Sequence, residues 1–112
     1  MKLLSDYPFL ATSILAVLVF GGSAILWERP FVLSVVLVAL SIPTIFLERK
    51  RADLFLFLAA ALAGPLTEAL LIWAGAWEYA SPHILGFPVW LPLVWGNASL
   101  FIKRLYFVLN KF

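Results

Sequence analysis

Few residues in this chain can do chemistry. Glu68 lies in the longest apolar run, Leu54 to Trp77, and is the only formally charged residue between Asp53 and Glu78. Glu78, Tyr79 and His83, the single histidine, follow closely, and Asn97 comes later. An ionised side chain in hydrocarbon costs roughly 2.5–3.5 kcal/mol on insertion scales unless it is neutralised or paired. Burial also disfavours the charged form of a carboxyl group, which suits it to proton transfer. Glu68 is therefore a candidate functional acid or ion-coupling carboxyl, set against a purely structural hydrogen bond between helices. There is no cysteine and no second histidine, so no metal site is expected. Phosphate-binding glycine loops, serine nucleophile signatures and HExxH are absent, and no cofactor is expected.

The elements that must position these groups follow from composition. Of 112 residues, 64% are hydrophobic and 12% charged. A soluble domain is nearer half apolar and a quarter charged. A chain this short buries only about 60% of its surface on folding, so the excess apolar surface calls for a bilayer as solvent. The expected fold is all-α: one polytopic membrane domain, 1–112, with four transmembrane helices and short loops. The spans are read at about 9–27, 31–47, 54–77 and 88–106, each near the 17–25 residues that crossing requires. Lys2 ahead of the first run raises a signal-peptide reading. The length of that run, the lack of an A-x-A-like cleavage pattern and three further runs argue against it.

Lys and Arg set the orientation. Arg49, Lys50 and Arg51 fill the loop between runs two and three, Lys103, Arg104 and Lys111 follow the fourth, and the opposite side carries only Arg29. The positive-inside rule places both termini and the 48–53 loop in the cytoplasm of an inner membrane. A net charge of +2 is too small and scattered for a nucleic-acid partner.

Depth then sorts the polar and aromatic residues. Trp27, Trp73, Trp77 and Trp90 fall near the non-cytoplasmic ends, and Trp95 lies about one turn deeper. They form either an interfacial aromatic belt or the wall of a pocket. In the second case Trp73, Trp77, His83, Trp90, Trp95 and Asn97 are the candidate ligand-binding residues. Glu68 sits roughly 13 Å below Trp77, and Asn97 roughly 12 Å from Val89. Their similar depths predict a hydrogen bond between them. Gly64, Glu68 and Gly75 share a helical face, and small residues there permit close approach of a neighbour. Pro65 and Pro43 predict kinks. Pro82, Gly86, Pro88, Pro92 and Gly96 predict a broken segment that dips back over the bundle.

Glu68, Gly75, Trp77, Tyr79, Ile84, Leu85, Gly86, Pro88, Pro92 and Trp95 form a spaced pattern across the C-terminal half. It resembles membrane carotenoid-biosynthesis proteins of the small-subunit lycopene cyclase type and the carotenoid hydratase type. The resemblance implies an isoprenoid ligand reached from the lipid, with Glu68 as the catalytic acid protonating a double bond, Glu78 or Tyr79 as its catalytic helper, and tryptophan faces stabilising a carbocation. The glutamate pair that follows proline in the cyclases has no counterpart here. Pro88 is followed by Val89 and Trp90, and Pro92 by Leu93 and Val94.

Two other classes fit the same features. A small dimeric proton-coupled transporter or channel would use an intramembrane carboxyl for coupling. A non-catalytic assembly subunit, bound to a membrane partner, would use Glu68 only to tie two helices together.

Overall fold

The structure, a computed structural model, describes residues 6–111. Four helices make up the fold: α1 (Tyr7–Leu26), α2 (Pro30–Phe46), α3 (Arg51–Trp73) and α4 (Leu91–Leu109). No strand occurs among the described residues, apart from one isolated bridge between Ile84 and Phe87.

Local sequence starts and stops each helix. The Asp6 carboxylate caps α1 by accepting the Phe9 N–H at 2.9 Å, and Pro8 sits in its first turn. Pro30 opens α2 and Pro92 lies in the first turn of α4. At the end of α3 the Ala76 N–H bonds to the Leu71 carbonyl, and the Gly75 N–H to that of Ile72. Gly75 has φ +89, so this is a Schellman termination in which glycine supplies the left-handed turn. The expected 54–77 helix therefore starts three residues earlier and stops four earlier. The fourth helix starts at Leu91 rather than Pro88 and continues to Leu109. Secondary structure runs unbroken through Pro43 and Pro65, where breaks in direction were expected.

Helix α4 is the hub and packs against α1, α2 and α3, while α3 leans chiefly on α4. Two apolar clusters hold the bundle. One joins Val19, Leu33, Leu37, Phe87, Trp90 and Leu91, and the other Ile45, Phe57 and Leu100. The first and last described residues and the 47–50 loop meet at one end, where Lys111 pairs with Asp6 and Arg104 with Glu48. Lys2 lies outside the described residues.

Beside this apolar core, the described residues combine a few buried polar groups with a largely apolar outer surface. Thr12, Ser41, Thr44, Asp53, Asn97 and Arg104 are buried, while Ile25, Phe31 and Trp73 are at least 80% exposed. The buried hydroxyls satisfy themselves on carbonyls one turn back, as Ser41 does on Leu37 at 2.6 Å and Thr44 on Leu40 at 2.9 Å. Helices α1 and α3 are long and apolar enough to cross a membrane. Helix α2 is apolar but has 17 residues, and α4 carries Lys103 and Arg104 within its length.

Candidate functional site

Glu68 is half-buried on α3 and accepts two hydrogen bonds, one at each carboxyl oxygen. The Tyr79 hydroxyl donates to Oε1 and the Trp95 indole N–H to Oε2. Both donors are neutral, and among the described residues no cation pairs with Glu68. The unit links three segments: α3, the 74–90 connection and α4.

Gly64 explains how Trp95 reaches the carboxyl. It lies one turn before Glu68 on the same face of α3. A Cβ built on it would stand 2.0 Å from Cδ2 of Trp95 and 2.3 Å from its Cγ. The indole thus occupies the groove that the missing side chain leaves. Gly96 plays a similar part for Phe57, whose ring would meet a Cβ at 2.6 Å.

Asn97 does not meet Glu68. Two helical positions from Trp95 is a rotation of about 200°, so the two side chains leave α4 on opposite sides. Asn97 faces α2 and donates to Ser41 Oγ at 2.9 Å and to the Leu93 carbonyl at 2.8 Å. Its Oδ1 is buried without a partner among the described residues. Gly75 is likewise not a face partner of Glu68, because it caps the helix. With α3 ending at Trp73, Glu68 lies only about 7–8 Å from the helix end, shallower than its spacing to Trp77 implied.

The other candidates are dispersed. Glu78 is exposed and has no partner among the described residues. Trp73 is 88% exposed, and Trp77 is exposed as well. Trp90 packs into the apolar cluster, with its indole N–H lacking an acceptor among the described residues. His83 pins the connection: its ring Nδ1 accepts the Val89 N–H at 3.0 Å, and its backbone N–H donates to the Phe87 carbonyl. Leu85 and Gly86 both have positive φ, so 84–87 forms a tight type I′-like turn. The turn rests on Ile72, whose Cγ2 would lie 2.8 Å from a Cβ at Gly86. In this way the connection folds back over the bundle and delivers Tyr79. Burial, and then the hydrogen bond and charge of Glu68, push the Tyr79 hydroxyl well above the ordinary tyrosine range, so it keeps its proton and remains a donor.

Two apolar clefts open on the outer surface near this unit. One, of about 630 Å³, lies among Leu66, Leu70, Trp73 and Leu85. The other, of about 470 Å³, lies between α3 and α4, from Trp95 past Ala60 and Ile102 to Lys103 and Tyr106.

A second polar cluster escapes a reading based on isolated charges. Arg104, 2% exposed, donates from Nε to Glu48 at 2.9 Å, from Nη1 to Thr12 at 2.8 Å and from Nη2 to Asp53 at 3.2 Å. Lys103 also bonds to Asp53, which is fully buried. The sequence signal was present. Asn97, Leu100, Arg104 and Val108 recur at helical spacing and form the buried face of α4.

No protein-family profile, curated protein or solved structure matches this chain. The fold and site define a four-helix, all-α protein with apolar outer surfaces and a carboxyl group held by a tyrosine and a tryptophan.

Proposed function

We propose that this is a multi-pass inner-membrane protein with four spans and cytoplasmic termini that binds an isoprenoid-like apolar chain in the cleft between α3 and α4. The observation that carries this is the position of Trp95. One edge of its indole is tied to Glu68, and the residue also lines an apolar cleft that opens sideways. The many exposed large apolar side chains support the bilayer as the surrounding solvent. The basic residues gathered at the end holding the termini support the orientation. In this reading Glu68 sits beside the bound chain, with Tyr79 as its proton-bearing neighbour.

Purified protein in detergent, mixed with a C40 polyene, tests the reading by visible circular dichroism. A polyene held in a chiral cleft acquires an induced signal, whereas free pigment in micelles has none. Trp95→Ala is expected to remove the signal. Any chemical change appears as a new chromatographic product, which Glu68→Gln should abolish. An absent induced signal with folded protein would rule the proposal out.

A further inference from the structure

A third cavity lies away from both clefts, at the end of the molecule opposite the termini. Its volume is about 310 Å³, at the small end of ligand pockets. The last turn of α1 contributes Ser23, the residue just after that helix is Trp27, and the 74–90 connection contributes Tyr79, Ser81, Pro88 and Trp90. Three aromatic side chains, Trp27 from the end of α1 and Tyr79 and Trp90 from the two ends of the connection, thus converge on one small space.

The surrounding charge is predominantly acidic. Glu28 adjoins Trp27, Glu78 adjoins Tyr79, and Glu68 sits behind Tyr79 as the acceptor of its hydroxyl. Arg29 is the one guanidinium at this end, and His83 is occupied at Nδ1 by the Val89 N–H. The other six described Lys and Arg residues (Arg49, Lys50, Arg51, Lys103, Arg104 and Lys111) belong to the opposite end.

An aromatic-lined cavity with acidic surroundings and few hydrogen-bond donors suits a cation that needs no hydrogen bonds. Quaternary ammonium groups are recognised in this way, through ring quadrupoles rather than directed contacts. We infer that the Trp27–Tyr79–Trp90 cavity binds a small organic cation of the tetraalkylammonium type, at a site separate from the α3–α4 cleft. Its three hydroxyls, on Ser23, Tyr79 and Ser81, do not argue for a sugar or a phosphate. Ser23 already donates to the Val19 carbonyl at 2.8 Å and Tyr79 to Glu68, and among the described residues no Lys or Arg lines the space. Because Tyr79 both lines the cavity and bonds to Glu68, an occupant would sit one side chain from the candidate carboxyl.

The test is calorimetric titration of the purified full chain with choline and with its uncharged carbon isostere, 3,3-dimethyl-1-butanol. Saturable binding of choline, at least tenfold tighter than the isostere, is expected. Trp27 is partly exposed, so Trp27→Leu should leave the fold intact and weaken choline at least tenfold, while Trp27→Phe keeps most of the affinity. Equal binding of the neutral isostere, no saturable heat with choline, or unchanged affinity in Trp27→Leu would overturn the inference. The comparison of the two ligands on unaltered protein decides the matter even if the leucine variant misfolds. Polyene binding in the α3–α4 cleft is read separately and does not bear on this outcome.

Discussion

Gly64→Ala is the smallest change that should dismantle the candidate site. The added methyl would lie 2.0 Å from Cδ2 and 2.3 Å from Cγ of Trp95. Those atoms belong to the rigid base of the indole, so a rotation at the far end cannot relieve the clash. Either α3 and α4 separate or Trp95 swings outward, and both movements break its bond to Glu68. Overpacking costs about 1–3 kcal/mol, and loss of a hydrogen bond to a charged group about 1.5–3 kcal/mol. Alanine returns about 1 kcal/mol of helix propensity. The net expectation is a loss of about 1.5–5 kcal/mol, seen as a fall in Tm of roughly 6 °C or more. Thermal unfolding in detergent, followed by tryptophan fluorescence, measures it. The same substitution in a Trp95→Ala background should be neutral or slightly stabilising, because the clashing ring is gone. A double-mutant cycle then isolates the contact. Coupling below about 0.5 kcal/mol, within the additivity expected of independent sites, would refute the claim that Gly64 exists to seat Trp95.

Two further outcomes follow from the buried charges and the raised tyrosine. Arg104→Met leaves fully buried Asp53 with only Lys103 and should cost about 3–5 kcal/mol in denaturant unfolding. Arg104→Lys should recover little, because one ammonium cannot span acceptors on α1, the 47–50 loop and α3. Tyr79 should still hold its proton at about pH 11, above the ordinary tyrosine value near 10, as a difference titration at 295 nm against Tyr79→Phe would show. Its contribution to stability is complete below that ordinary value and is lost as pH rises through the raised folded-state value. Wild type and Tyr79→Phe should therefore converge in stability only at strongly alkaline pH.

Much of the fold was legible because it is local. Four apolar runs separated by charge or proline gave four helices, and the ends of α1 and α2 fell within two residues of the sequence reading. Gly75 was visible as a small residue, but its role required knowing where α3 stops. Extending the apolar run to Trp77 placed Glu68 too deep, because hydrophobicity continues past a helix end that backbone hydrogen bonding sets. Arg104 looked like one of several topology-setting bases. Its burial follows from sharing a face with Asn97 and Leu100, which single-residue charge counting does not register.

The sequence by itself determined composition, helix number, the sorting of basic residues toward one end and the isolation of Glu68, all carried by residue type and near-neighbour spacing. Tertiary structure alone decided what Glu68 touches. Equal depth made Asn97 and Trp95 both reachable from α3, and only the rotation of α4 about its axis chooses between them. That rotation is fixed from a distance. Gly64 opens room for an indole, Gly96 admits Phe57, and the Asn97–Leu100–Arg104 face seeks polar and apolar partners on α1 and α2. Tyr79 arrives through a turn whose glycine rests on Ile72. Each is a contact between segments far apart in the chain, and no local pattern encodes it.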